Sequence, residues 1–506
     1  MNYLNKIKVY ILEECKGILP AQKLRTPFII LCCIYGLSVL PIIRANYNYL
    51  DDIGRTIDGY RMWGWLSRYL NNYLAAFIHT GRHITDISPL PQLIAVVLLA
   101  LSSVILIHLF SDEKKISYGT VIAATPIGLF PYFLECLSFK YDSPYMALSL
   151  LASVAPVLFI DRDEKTYFAA TFLCILVMCT TYQAASGIFV ITVLFLLFKR
   201  WNGGENSKKI MRSGAVSAAA YLFALLFFKI FLLKTIRSGS HVTASLPAPE
   251  SLPYIIGKNG LKYFRLIASD FPYLWRVLFV VLLSAFLYTA IVNSSRKKSI
   301  AAVMAILLLL FSSVLSYGIY IVLEKALFEP RAMFGFGAFT ALMTLCIATD
   351  RIWQKKTIKC VTLYMCWCLF VFSFTYGNAL AEQKEYSLFR IQLALADLTR
   401  VLNFNGPQKY KMQITGNIKH APVVRNMEKR CAVLSRLTRS LMPGGGGISF
   451  RRYYFFKYTD LPNVDDVTEY NKRSKIDFRK EKLPILYDNC YHTISAKDHK
   501  ILIRLK

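Results

Sequence analysis

The sequence is short of charge, and acidic residues are the scarcest charged class. Only 18% of its 506 residues are charged, and 31 acidic residues stand against 60 lysines and arginines. Water-soluble domains usually carry about a quarter charged residues, so this chain has too little polar surface for a soluble enzyme. Its 55% apolar content also excludes a disordered or fibrous protein.

The sequence contains long apolar runs with almost no charged residues. Residues 273–292, interrupted only by Arg276, and residues 300–322 are each about 20 residues long, enough to cross roughly 30 Å of hydrocarbon as a helix. The runs and the charged breaks between them predict an all-α polytopic membrane protein with about eleven spans. The predicted spans centre on 27–43, 90–110, 118–134, 145–160, 167–180, 187–198, 213–233, 273–292, 300–322, 334–348 and 360–376.

Metal-ligand motifs and nucleic-acid modules are both missing. None of the twelve cysteines has CxxC spacing, and most lie in apolar runs, so we predict neither a metal site nor a cofactor. Oxygen coordination of Mg²⁺ or Mn²⁺ by Asp51, Asp52 and Asp142 stays open. No basic module interleaved with aromatic residues is visible, which argues against nucleic acid. The formal net charge of +29 fits cytoplasmic loops, an anionic lipid surface or an anionic substrate.

Charge in the loops predicts the topology. Compact lysine-rich loops and the basic N-terminal segment 1–26, which lacks a cleavable-signal pattern, are expected to be cytoplasmic. An odd number of spans then places residues 377–506 on the outer side, together with a first outer loop at 44–89. The lysine-rich loops are 111–115, 161–165, 199–209, 294–299 and 351–359.

The region 377–506 is predicted to form a small α/β domain beyond the membrane domain 27–376. Its first 26 residues have helical spacing and are expected to prolong the last span. The segment KYKMQITGN alternates like a strand, and the C-terminal residues predict a hairpin with its turn near 496–499. Cys431 and Cys490 either form a disulfide or remain free thiols.

The first outer loop holds the candidate chemistry. Asp51 and Asp52 follow the first span closely, and Arg55 and Asp58 come next. Apolar residues then recur at three- and four-residue steps over 62–77, which predicts an amphipathic helix lying in the membrane interface. A carboxylate pair at headgroup depth is a candidate functional site, although a solvated acidic loop fits the same residues equally well.

Further charged residues lie in other outer loops. Lys140 and Asp142 occur in SFKYDSPY, Arg331 in EPRAMFGFG, and His241 opens another loop. Each by itself fits a side chain that extends to headgroups or solvent. Together, carboxylates and cations on one face suit the deprotonation of a hydroxyl and the neutralisation of a phosphate.

The elements YNYLDDIGR, GYRMWGW, KYDSPYMAL and EPRAMFGFG resemble the Gtr-type bacterial O-antigen glucosyltransferases, which belong to the polyprenol-phosphate-sugar-dependent transferases of the GT-C fold. The resemblance covers nearly the whole chain. It implies transfer of glucose from undecaprenyl-phosphate-glucose to the O-antigen of lipopolysaccharide on the periplasmic side of the bacterial inner membrane. It also implies an essential carboxylate in the first outer loop, which by position is Asp51 or Asp52.

This interpretation makes the chain an inverting glycosyltransferase with assigned residue roles. One carboxylate of the acidic pair accepts the proton of the acceptor hydroxyl, and the other orients a substrate. Trp63 and Trp65 either stack on sugar or anchor the interface helix, and anchoring is favoured. The partners are the lipid-linked sugar donor, the O-antigen acceptor and membrane lipids. The predicted residues are catalytic Asp51 and Asp52, donor-phosphate-binding Arg55, Arg331 and Lys140, and substrate-binding Asp142, Asp58, Trp63 and His241.

The alternative class is a transporter, either a lipid-linked-sugar flippase or a polysaccharide exporter. Such a protein is expected to place ionisable groups at the membrane midplane. The long predicted spans are nearly free of charge, and the acids gather at the outer edge, so the transferase is favoured. A polymerase or ligase of surface polysaccharide is a third possibility, since it too uses an outer-side site.

The predicted topology has a direct test. We expect Lys297 and Lys355 to face the cytoplasm and residues 377–506 to face the periplasm, because lysine-rich short loops stay inside. Single cysteines placed at these sites are labelled with a membrane-impermeant maleimide in intact cells. Only the C-terminal site should react, and labelling at position 297 would overturn the topology.

Overall fold

The computed structural model describes residues 21–111, 116–233, 246–404, 406–441, 454, 461, 464–466 and 477–506. The chain is mostly helical, with a small sheet near its C-terminus. The helices of the membrane part are α1 (Ala21–Ala45), α2 (Asp52–Asp58), α3 (Tyr69–Ile78), α4 (Leu90–Phe110), α5 (Tyr118–Ala123), α6 (Pro126–Leu129), α7 (Pro131–Ser138), α8 (Ser143–Val154), α9 (Glu164–Thr181), α10 (Ser186–Asn202), α11 (Ser207–Phe227), α12 (Leu252–Asp270), α13 (Tyr273–Val292), α14 (Lys298–Leu315), α15 (Gly335–Ala348) and α16 (Lys356–Val401).

Several of these helices are long and apolar enough to cross a membrane. Among the described residues there are seven such helices, or eight if the bent pair of helices near residue 130 counts as one span. The remaining predicted spans coincide with shorter or less apolar helices, namely α8 with its 3₁₀ extension, α9 and α15. Every apolar run that we predicted as a span therefore lies on helix, while the number of eleven crossings stays a prediction.

A broken helix leads from the membrane part into the functional region. The segments Tyr118–Leu129 and Pro131–Ser138 meet at an angle of 60°. The cause is local, because Pro131 has no N–H to donate and its ring disfavours a helical conformation at Phe130, which is extended at ψ 139°. The second half, α7, carries Glu135 and ends just before the loop of Lys140 and Asp142.

Helix α16 confirms that the last span continues beyond the apolar run. It is 46 residues long and passes without a break through residue 377, where we had placed the start of the C-terminal domain. It packs along α1, and the two helices approach each other closely at Gly377. A Cβ atom there would overlap the side chain and backbone of Pro41 and the backbone nitrogen of Ile42.

The C-terminal region confirms the predicted small α/β unit. Its sheet has the order β2-β1-β5-β4-β3, in which β1 is parallel to β2 and β5, and β4 is antiparallel to β3 and β5. The predicted hairpin is β4–β5, and it turns at Asp498, whose φ is +56°. The elements are β1 (Tyr410–Gly416), α17 (Pro422–Arg430), α18 (Leu434–Leu437), β2 (Val464–Asp466), β3 (Ile485–Asp488), β4 (His492–Lys497) and β5 (Lys500–Leu505).

A buried arginine fixes this sheet to the long helix. Arg390 of α16 donates from Nη2 to the backbone oxygens of Tyr491 (2.6 Å) and Lys506 (2.9 Å). Close by, Asp397 of α16 approaches Nε2 of buried His492 at 3.1 Å. The hairpin is therefore held to the helix that also packs against the first span.

One predicted helix is interrupted, and one open alternative between a disulfide and free thiols is decided. The amphipathic segment 62–77 is not one helix, because a 3₁₀ turn at Trp63–Leu66 ends in left-handed Ser67 (φ +58°) before α3 begins. Cys431 is buried, Cys490 is exposed, and both are free thiols.

The close approach at Gly377 predicts a stability effect. Gly377→Ala should destabilise the protein by about 1–3 kcal/mol, because the added methyl group meets backbone atoms of α1 that have no room to move. Gly36→Ala on α1 is the control, since nothing lies within 4 Å of its added Cβ. Thermal unfolding in detergent measures both variants. Equal melting temperatures for the two would mean that the helices do not approach each other at Gly377.

Candidate functional site

The first outer loop folds around the buried carboxylate of Asp52. Its Oδ2 accepts hydrogen bonds from the backbone N–H groups of Tyr49 and Lys140, both at 3.0 Å. Its Oδ1 is buried and has no hydrogen-bond partner in the part of the chain that the structure describes. Asp52 thus joins the start of α2 to the loop after α7.

Burial leaves this carboxyl in an unusual protonation state. Desolvation raises the pKa of Asp52 from 3.8 to about 8, against the opposing effects of the Lys140 backbone N–H and the Arg55 guanidinium. At neutral pH the group therefore carries a proton most of the time. A protonated carboxyl cannot accept a proton from a hydroxyl.

Asp51 lies in a different environment from its neighbour. Its side chain is 48% exposed, whereas that of Asp52 is fully buried. Asp51 is the residue four positions before Arg55, and its Oδ2 is 3.9 Å from the Arg55 Nη2. One turn of helix thus places a solvent-facing carboxylate beside a guanidinium group.

Arg55 is the centre of a second set of contacts, which we call the Arg55 cluster (Arg55, Asp51, Trp63, Asp142). The buried guanidinium forms an ion pair with Asp142, and its Cζ lies 4.4 Å from the centre of the Trp63 ring. The Trp63 Nε1–H donates to the other oxygen of Asp142. The ion pair and the cation–π contact compensate the cost of removing the Arg55 guanidinium from water. They also leave Arg55 little exposed to a ligand.

Lys140 is paired as well. Its Nζ lies 2.7 Å from Asp86 Oδ2, and its side chain is only 5% exposed. The pair connects the loop after α7 to the end of the first outer loop. To bind a phosphate, Lys140 would therefore have to give up its ion pair with Asp86.

A third charged group, Glu135, was missed by the sequence analysis. Glu135 is completely buried on α7, and its Oε1 is 2.9 Å from both the Tyr49 hydroxyl and the Arg331 Nη1. The backbone N–H of Arg331 donates to Oε2. We call Glu135, Arg331 and Tyr49 the Glu135 centre. Since Tyr49 also binds Asp52 through its backbone, the centre is joined to the acidic pair.

A sequence signal for Glu135 exists. It is a single acid within the apolar run FPYFLECLSF, at the outer end of a predicted span. Ionisable residues inside apolar spans are functional candidates by default, because burying them is costly. The predicted span 118–134 ends one residue before Glu135, so this acid falls in the following loop and was not predicted as a site residue.

The segment after α18 covers the Glu135 centre. The Tyr49 hydroxyl lies 2.7 Å from the backbone oxygen of Leu437, and the Tyr47 hydroxyl donates to the backbone oxygen of Arg439. The Arg439 guanidinium forms an ion pair with Glu329. The C-terminal region thus contributes directly to the face that carries the predicted residues.

The structure brings most of the predicted site residues together. Asp51, Asp52, Arg55, Trp63, Lys140 and Asp142 form one contiguous set, and Arg331 joins them through Glu135 and Tyr49. Asp58 lies exposed at the far end of α2. His241 falls outside the described residues. Within the described ranges, no group of three or more His, Cys, Asp or Glu side chains is arranged to hold a metal ion.

Comparison with known proteins points to one family. Residues 40–342 match the family described as glucosyl transferase GtrII. The chain is also 24% identical, over 427 residues, to an uncharacterized 55.3 kDa protein in the gtrB 5′ region of Salmonella phage P22; the match covers 81% of this chain and 85% of that protein. The matched segment 40–342 contains both the Arg55 cluster and the Glu135 centre.

The raised pKa of Asp52 predicts how stability depends on pH. The pKa of Asp52 is about 8 in the folded protein and near 3.8 when the chain unfolds, so between these values only the folded state keeps the proton. Stability therefore falls as pH rises through this window, by at most about 1.4 kcal/mol per pH unit. Asp52→Asn cannot ionise, so its stability relative to the parent should increase from pH 5 to pH 8.

The neighbouring acid provides the control for this prediction. Asp51→Asn removes a half-exposed carboxylate and should show no such increase relative to the parent. Thermal unfolding in detergent at several pH values measures all three proteins. A constant difference between Asp52→Asn and the parent would mean that Asp52 is ionised in the folded protein.

Proposed function

The chain belongs to the GtrII family of glucosyl transferases, and we propose that it transfers glucose from undecaprenyl-phosphate-glucose to the O-antigen of lipopolysaccharide at the periplasmic face of the inner membrane. The family supports a glucosyl transferase over the flippase or exporter alternative. The apolar helices support a protein embedded in a membrane. The observation that carries the site assignment is the half-exposed carboxylate of Asp51 beside the guanidinium of Arg55.

We assign the general base to Asp51. A base must be reachable by the acceptor hydroxyl and must be able to take its proton. Asp51 is half-exposed at the rim of the loop, whereas Asp52 is buried and keeps its own proton at neutral pH. Asp52 then has a positioning role, because it joins the backbone at Tyr49 to the backbone at Lys140.

The reaction would be a single displacement at the anomeric carbon of the donor glucose. The acceptor oxygen forms the new bond to this carbon while its proton passes to the Asp51 carboxylate. The bond between the anomeric carbon and the phosphate oxygen breaks, and polyprenyl phosphate leaves with both electrons of that bond. The configuration at the anomeric carbon is inverted.

Arg331 is the best-placed cation for the leaving phosphate. Its guanidinium uses Nη1 to bind Glu135, and its side chain is 19% exposed, so further donors are available. A planar guanidinium can contact two phosphate oxygens at once. Arg55 and Lys140 are more fully occupied by Asp142 and Asp86, and they support the site mainly by holding the loops in place.

The other predicted substrate residues have defined places in this proposal. Trp63 and Asp142 hold Arg55, and through it they orient Asp51. Asp58 is exposed, and its binding of an acceptor sugar stays a prediction from the sequence. The role of His241 stays a prediction from the sequence.

Single substitutions in the acidic pair test the base assignment. Asp51→Asn should retain at most about 1% of transfer, because general-base help is typically worth about 10²–10⁴-fold. Asp52→Asn should keep most of the activity, since the Asn Oδ1 can still accept both backbone N–H groups. Transfer is measured with radiolabelled undecaprenyl-phosphate-glucose and O-antigen acceptor in membranes that contain equal amounts of each variant.

Donor binding is the internal control for these variants. Both should bind the lipid-linked donor as the parent does, because the phosphate contact is assigned to Arg331. If Asp52→Asn is inactive and Asp51→Asn is active, the base is Asp52. If both transfer glucose at the parental rate, neither carboxylate is the base.

A further inference from the structure

A groove formed within the first outer loop has no role in the proposed chemistry. It has a volume of about 540 Å³ and is lined by Arg61, Trp65, Tyr69, Asn72, Tyr73 and Arg82. The size is that of pockets which bind small organic ligands, and the lining combines aromatic rings with polar donors. We call it the Trp65 groove.

The Trp65 groove is built by the same turn that supports the Arg55 cluster. The 3₁₀ turn Trp63–Leu66 is flanked by left-handed Met62 (φ +46°) and Ser67 (φ +58°). Non-glycine residues in this conformation are costly, and they persist where the surrounding structure requires them. Trp63 is buried against Asp142, whereas Trp65 is 68% exposed.

Asn72 of α3 holds this turn in place. The Trp63 backbone N–H donates to Asn72 Oδ1 (3.3 Å), and Arg61 Nη1 donates to the Asn72 backbone oxygen (3.0 Å). The wall of the groove is therefore fixed to the helix on its other side. A ligand in the groove lies against the turn whose inner face carries Trp63.

The lining suits a chain of sugar rings. A pyranose presents an apolar C–H face, which packs on an aromatic ring, and an edge of hydroxyl groups, which need hydrogen-bond partners. Trp65 and Tyr73, which is 73% exposed, provide open aromatic surfaces. Arg61 and Arg82 provide guanidinium donors, and among the described residues neither forms an ion pair.

We infer that the Trp65 groove binds the acceptor glycan, with Trp65 and Tyr73 stacking on its sugar rings. This inference rests on the proposed function, because a polymeric acceptor needs to be held beyond the single sugar that reacts. The connection through Trp63 places the held segment next to the loop of Asp51. The groove therefore determines which glycan is brought to the base.

A membrane anchor is the competing explanation, and Phe77 separates the two. Phe77 lies one helical turn after Tyr73 on α3 and is 81% exposed, but it does not line the groove. A face that inserts into lipid would use Phe77 and Tyr73 alike. A glycan site would use Tyr73 and leave Phe77 unused.

The test compares Trp65→Ala, Tyr73→Ala and the matched control Phe77→Ala. The first readout is equilibrium binding of delipidated O-antigen polysaccharide to the purified, detergent-solubilised full-length protein. Trp65→Ala and Tyr73→Ala should weaken binding by about tenfold or more, as for aromatic anchors in other interfaces, and Phe77→Ala should leave it unchanged. Trp65→Phe should restore part of the loss.

The second readout is the kinetics of transfer. The acceptor KM should rise in Trp65→Ala and Tyr73→Ala while the donor KM stays the same. If Tyr73→Ala and Phe77→Ala weaken binding to anionic phospholipid vesicles equally and polysaccharide binding is unaffected, the face is a membrane anchor and the inference is wrong.

The binding assay also separates this inference from the proposed function. Groove-dependent polysaccharide binding without any glucose transfer would contradict the proposed reaction and keep the groove. Glucose transfer to O-antigen that is insensitive to both groove variants would keep the reaction and overturn the groove.

Discussion

The candidate site of this protein is organised by the cost of burying carboxylates. An uncompensated buried charge is expensive, so each such group needs a cation, hydrogen bonds or a proton. Asp142 is compensated by Arg55, and Glu135 by Arg331. Asp52 accepts hydrogen bonds from two backbone N–H groups but forms no ion pair among the described residues, and its pKa is raised to about 8. Asp142 and Glu135 are thus compensated by arginines, whereas the pKa of Asp52 is raised. This distinguishes Asp52 from its half-exposed neighbour Asp51.

These compensating contacts also join segments that are far apart in the chain. Asp52 binds the backbone at Lys140, and Glu135 binds Arg331, so the first outer loop, the broken helix and a later loop converge. The Tyr49 hydroxyl adds α18 through the backbone oxygen of Leu437, the last residue of that helix. The C-terminal region is thus part of the same face as the membrane domain. Changes in that region are therefore expected to reach the site through Tyr49.

Much of the fold followed from patterns that act over short distances. Apolar runs lie on helices because a chain in lipid must satisfy its own backbone hydrogen bonds. The alternation in 410–416 and the hairpin at the C-terminus appear as β1, β4 and β5. The break of the interface helix at Ser67 did not follow, because apolar periodicity continues through it.

The sequence by itself determined the membrane class, the helical segments of the membrane part, the strands β1, β4 and β5, and the acidic loop that resembles the glucosyltransferases. The tertiary structure decided which charges meet. Arg331 and Glu135 are 196 positions apart, and only the packing of the helices makes them a pair. It also decided the difference between Asp51 and Asp52, which are adjacent and chemically identical. Burial depends on the whole surrounding fold, and it raises the pKa of Asp52 while the side chain of Asp51 stays half-exposed.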